Sequence, residues 1–167
     1  MKKLIFCLSL MISIYSISQK MYKPNPAYSY SIVKAAYLSK QPVFSLGVDS
    51  CKHFYFTHFN GFDSLLSKVV AYGDTAKYIR IYFSFIVDKV GIPYDAKFEK
   101  IAATSFPNSL HARTLSYFNN DQKYYEHLLQ LMILKMSWWK PGLLNGLPVD
   151  SRVDDYIQFW VGLSLPR

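Results

Sequence analysis

The sequence predicts a two-layer α+β domain, a small antiparallel sheet of about three strands with helices on one face. Three observations predict it. Residues 78–87 alternate strictly, with Ile79, Ile81, Phe83, Phe85 and Val87 on one side and Tyr78, Arg80, Tyr82, Ser84 and Ile86 on the other. The turn-forming run Asp88-Lys89-Val90-Gly91 follows directly and hands over to a second extended stretch. Further on, a stripe of helical period precedes another alternating stretch near the C-terminus.

Residues 62–72 carry Phe62, Leu65, Leu66, Val69 and Val70 at helical spacing, and Gly73 closes the segment. A short amphipathic helix is expected there. The first strand covers 78–87, one wholly apolar face marking a sheet covered on one side. The second strand returns over 92–100, and 101–104 extends it. Asn119-Asn120-Asp121 offers capping side chains to a helix bearing Tyr125, Leu128, Leu129, Met132 and Met136, with Lys135 in its last turn. Pro141 is expected to stop this helix. Asn145-Gly146 is a tight-turn pair. The last strand runs from Arg152 to about Leu163, with Val153, Ile157, Phe159, Val161 and Leu163 inward, Tyr156, Gln158 and Trp160 outward, and Asp155 marking a strand end or bulge. Residues 42–60 have no readable period.

The domain is expected to span residues 41–167, after a loosely docked lead-in over 19–40 that opens Lys23-Pro24-Asn25-Pro26. Residues 1–18 read as a secretory signal peptide. A basic start, an apolar run of 14 residues at 4–17, and Ser16-Ile17-Ser18 ahead of Gln19 fit signal-peptidase cleavage. The run is shorter than the ~20 residues of a spanning helix, so membrane association is expected only if it stays uncleaved. Cys7 lies too early for acylation. Cleavage removes two lysines and no acid, leaving 17 basic and 11 acidic residues and a net charge of +6. The charges are scattered, with no basic run, which argues against a nucleic-acid partner. Hydrophobic residues at 51% and aromatics at 17% suit a packed core. Cys51 is the one cysteine left, so the core rather than a disulfide must hold the fold.

Recognised catalytic motifs are missing from the sequence. Cys51, His53 and His58 lie close together but match no zinc spacing, and no cofactor or metal is expected. Cys51 as a nucleophile lacks a matching His and acid, and a buried thiol is expected. His111 and His127 are isolated. Asp154 and Asp155 point to opposite faces of a strand and cannot converge on a substrate. Trp138-Trp139 could form a ligand platform. The plainer reading has one ring closing the core and the other half exposed. The chain is not expected to be an enzyme.

Two blocks carry a family resemblance. Phe83-Ser84-Phe85-Ile86-Val87-Asp88-Lys89-Val90-Gly91-Ile92 is similar to an F-x-V-D-x-x-G hairpin. Trp139, Pro141 and Gly142, then Asn145-Gly146, Pro148-Val149 and a strand with Ile157-Gln158-Phe159, are similar to a W-x-P-(A/G), N-G-x-P-V, I-x-F succession. Together, over about residues 62–163, they resemble the C-terminal domain of TonB-type energy transducers. The chain departs from that family in having no Tyr-Pro pair before the first strand and no long Pro-rich spacer. The resemblance implies a periplasmic binding or adaptor domain. Its last strand, at Tyr156, Gln158 and Trp160, would receive an extended peptide of an outer-membrane transporter or another envelope protein. A structural protein keeping the fold without energising transport is the alternative, and a homodimer stays open.

Overall fold

The computed structural model describes residues 32–73, 77–104, 112–136 and 139–161, all within the unit Ser31–Arg167. The expected signal peptide and most of the lead-in, together with His111, Trp138 and Leu163, lie outside these residues. The elements in chain order are β1 (Val43–Phe44), α1 (Val48–His58), α2 (Phe62–Ala71), β2 (Tyr78–Val87), β3 (Pro93–Thr104), β4 (Arg113–Thr114), a 3-10 turn (Ser116–Asp121), α3 (Gln122–Ile133), β5 (Trp139–Lys140), β6 (Gly142–Leu144), β7 (Leu147–Val149) and β8 (Ser151–Trp160). The α+β class holds.

The main sheet has four antiparallel strands in the order β4-β3-β2-β8. The two-residue β4 adds to the three long strands expected. β2 is central, and its odd-numbered residues, Ile79 to Val87, face the core. Phe83 meets Tyr55 of α1, Phe98 of β3 meets Tyr125 of α3, and Phe159 of β8 meets Phe62 of α2. Three helices therefore close one face of the sheet. Register shifts in β3 opposite Tyr82–Phe83 and Ser84–Ile86 insert extra residues, so that Phe98 and Ile101 both point inward.

The hairpin turn is built by one carboxylate. Asp88 is buried, and its Oδ1 accepts the N–H groups of Val90 (2.9 Å) and Ile92 (2.8 Å). Gly91 stands at φ +90° against the backbone of Trp139, whose N–H donates to the Gly91 carbonyl (2.8 Å). A Cβ on Gly91 would fall 2.1 Å from the Trp139 oxygen, so only glycine fits. Trp139 itself is buried between Phe44 and Phe85. Asn145 and Gly146, both at positive φ, make the two-residue loop of the β6–β7 hairpin, in which Gly142 pairs Val149 and Leu143 pairs Pro148. Pro141 precedes β6 directly, Gly142 lies against the Ser151 side chain, and the Gly91–Trp139 contact is where the two sequence blocks meet.

Three expectations are corrected. Residues 48–58 form a helix, where no period was legible. The helix α3 ends at Ile133, so Lys135 lies beyond it and Pro141 does not stop it. Asp121 precedes α3 without a side-chain cap bond and instead pairs with Lys68. In the described part of the lead-in, Val33 bridges Ser151 and Lys40 bridges Leu143.

Candidate functional site

The outer edge of β8 is where the predicted partner-binding residues come together. Backbone bonds reveal which groups it presents. Asp150 C=O and Arg152 N–H pair with Val33, while Tyr156 N–H and C=O are bound by side chains rather than by β2. The even-numbered residues therefore turn their backbone groups away from β2, and the odd ones ladder onto it. Along this edge Val33 covers the Asp150–Arg152 end. Next to Tyr156, Lys52 of α1 reaches over the strand, donates to the Tyr156 carbonyl (3.1 Å) and pairs with Asp155, whose carboxylate accepts the Tyr156 N–H (2.8 Å). Among the described residues, nothing bonds the outward backbone of Asp154, Gln158 or Trp160.

Asp155 is thus a correction as well. It marks no end or bulge, because β8 stays in unbroken register with β2 through the Phe83–Asp155 pair. A mid-strand carboxylate on the apolar face is tolerated because Lys52 meets it from α1. Beside this pair lie Cys51 and Tyr55, both buried. Desolvation by burial pushes the Cys51 thiol up to about 11 and the Tyr55 phenol well above its usual range. The thiol is therefore neutral and inert at ordinary pH. The Tyr55 hydroxyl, close to both Cys51 and Asp155, makes no well-formed hydrogen bond.

The outward side chains divide between the sheet face and solvent. Gln158 Oε1 accepts from Arg80 Nε (2.8 Å), and the Arg80 guanidinium lies 5.0 Å from the Tyr156 ring centroid. Tyr82 packs beside Tyr156, and Lys100 stands over Tyr82. Trp160 is 68% exposed. Ile157 and Phe159 are core residues on the other face. Sequence reasoning missed Lys52 and Phe56. Phe56 is 59% exposed and sits 5.9 Å from Phe159, centroid to centroid. Their spacing of four residues was the available signal, once the helix was recognised.

The other candidates separate. Cys51 faces the core, whereas His53 is exposed and His58 stacks on Phe54. Among the described residues no three metal-ligating groups converge. His53, Phe54 and His58 instead line an open groove of about 540 Å³ with Phe44 and Leu46. His127 is exposed on α3, and Asp154 pairs with Arg152 on the sheet face opposite Asp155. Burial of Trp139 removes half of the proposed Trp138–Trp139 platform.

Fold and site together define a two-layer α+β domain with, among the described residues, one partly open sheet edge. Comparison with known proteins gives no match, whether to a family model, a curated protein or a solved structure.

Proposed function

We propose that this chain is an exported, TonB-C-terminal-like binding or adaptor domain that takes up an extended peptide by strand addition at β8. One observation carries the reading: among the described residues, nothing bonds the outward backbone groups of Gln158 and Trp160, which lie beside two exposed aromatic rings. Unpaired N–H and C=O groups at a sheet edge supply the affinity in such binding, and flanking side chains supply the selectivity. The interlock of Asp88, Gly91 and Trp139 supports the resemblance, since it gives the two separated motif blocks a common structural task. The partner class, a peptide segment of an outer-membrane transporter or envelope protein, follows from that resemblance. So does periplasmic location, for which the exported chain should begin at Gln19 by mass spectrometry.

The test compares parent, Gln158→Ala and Gln158→Pro as baits in outer-membrane extracts. The Gln158 N–H points away from β2, so proline there leaves the β2 ladder whole. Expected is recovery of transporters by the parent and by Gln158→Ala, and none by a Gln158→Pro variant that keeps the parent's circular dichroism and melts no lower than Gln158→Ala, which loses the same bond from Arg80. Equal recovery by the folded variant would exclude this edge. A parent that recovers no transporter would favour the structural alternative.

A further inference from the structure

Resting on that reading, we infer that the Lys52–Asp155 pair is a stop that confines an added strand to Gln158 and Trp160, with Phe56 receiving an apolar side chain of that strand. The occupant is then a short extended peptide with one aliphatic or aromatic anchor.

The geometry is specific. Lys52 and Phe56 are one helical turn apart on α1, and Asp155 and Phe159 are four residues apart on β8. Lys52 meets Asp155 and Phe56 meets Phe159, so one stripe of α1 runs alongside the strand and overhangs its edge. At the first of these contacts both outward groups of Tyr156 are consumed, the carbonyl by Lys52 and the N–H by Asp155. The Lys52 ammonium also lies 4.3 Å from the Tyr156 ring centroid, which holds the lysine over the strand. At the second contact the backbone is open among the described residues, and the overhang offers an exposed ring rather than a charge. A strand laid along β8 can therefore ladder onto Gln158 and Trp160, but it meets the ion pair before it reaches Asp154. Its helix-side residue at this point falls against Phe56, while Trp160 borders the opposite face. An apolar side chain is favoured there because burying the Phe56 ring releases water from both partners.

The probe is the hexapeptide acetyl-Lys-Tyr-Ile-Arg-Ile-Tyr-amide, which copies residues 77–82, the segment that already pairs with β8 on its other side. Amide hydrogen exchange of the whole chain is followed residue by residue with and without it. The Gln158 and Trp160 amides should slow about tenfold at near-saturating peptide, while Asp154 is unchanged. Replacing the ion pair by apolar residues of similar size, Lys52→Met with Asp155→Leu, preserves packing. It should extend protection to Asp154 and tighten binding about three- to tenfold, the worth of one or two added hydrogen bonds. Lys52→Arg should keep the short footprint, and Phe56→Ala should weaken binding with the melting midpoint unchanged. Protection of Asp154 in the parent would overturn the stop while leaving strand addition in place. An unchanged footprint in a folded double variant would overturn it too. Absence of protection anywhere on β8 would sink the strand-addition reading itself.

Discussion

The two long edges of the sheet are finished differently. On the β3 side, Gln130 of α3 accepts the Ala96 N–H (2.9 Å), Glu126 reaches the Phe98 N–H, Leu115 donates to the Ile101 carbonyl, and β4 pairs with Ala102 and Ala103. Covering groups follow one another along the strand. Among the described residues the cover on the β8 side is interrupted: Val33 at one end, Lys52 and Asp155 in the middle, and open backbone at Gln158 and Trp160. An exposed edge invites unwanted pairing, and a protein with no use for one closes it. Helix side chains from α3 close β3 here, whereas those of α1 close one residue of β8 and stop. That contrast is the physical case for proposing β8 as the working edge.

Both edges rest on one core. Phe83 lies in the central strand under both edges and is 1% exposed. Phe83→Ala should cost about 3–5 kcal/mol in urea melts, and amides on both edges should lose protection together. Loss below about 1 kcal/mol would mean the edges do not share one core. Opening the closed edge is the next largest change. Gln130→Ala strands the buried Ala96 N–H and should cost about 1–3 kcal/mol, with faster exchange at Ala96 and no effect at Gln158. An unchanged melt would show that the β3 cover is incidental.

At the open edge the effects are smaller. Lys52→Met removes the cation that meets Asp155, yet the lysine side chain is 38% exposed, so about 1 kcal/mol is expected. Gln158→Ala gives up one hydrogen bond from Arg80 and should cost roughly 0.5–1.5 kcal/mol by thermal melt. A larger loss than at Gln130 would reverse the ranking of the two edges. Last, the titration of Cys51 should leave stability independent of pH near neutrality. Its thiol is raised from the ordinary 9.0 to about 11, so the unfolded chain loses its proton first as pH rises. Stability contributed by the neutral thiol is whole below pH 9.0 and is lost on passing towards pH 11. Cys51→Ala should shallow that slope, the remainder belonging to Tyr55, and an identical slope in both proteins would contradict a buried neutral thiol.

The long hairpin, the helix stripe through Tyr125, Leu129 and Met132, the Asn145-Gly146 turn and the inward face of β8 were all legible in the residue pattern alone. In each, local period or backbone preference coincides with what the core demands. The sequence did not disclose α1, whose pattern is blurred by exposed Val48 and Phe56, with Cys51 and Tyr55 as its buried positions, and whose N-terminus has Gly47 in place of a capping side chain. Nor could it place Asp155 correctly, since a charge in an apolar row signals a strand end unless a distant residue neutralises it. Lys52 is 103 residues away, and nothing local announces the pair. Which edge stays open was likewise decided only by tertiary structure, because an edge exists only after strand order is set, and its cover comes from helices packed across the fold.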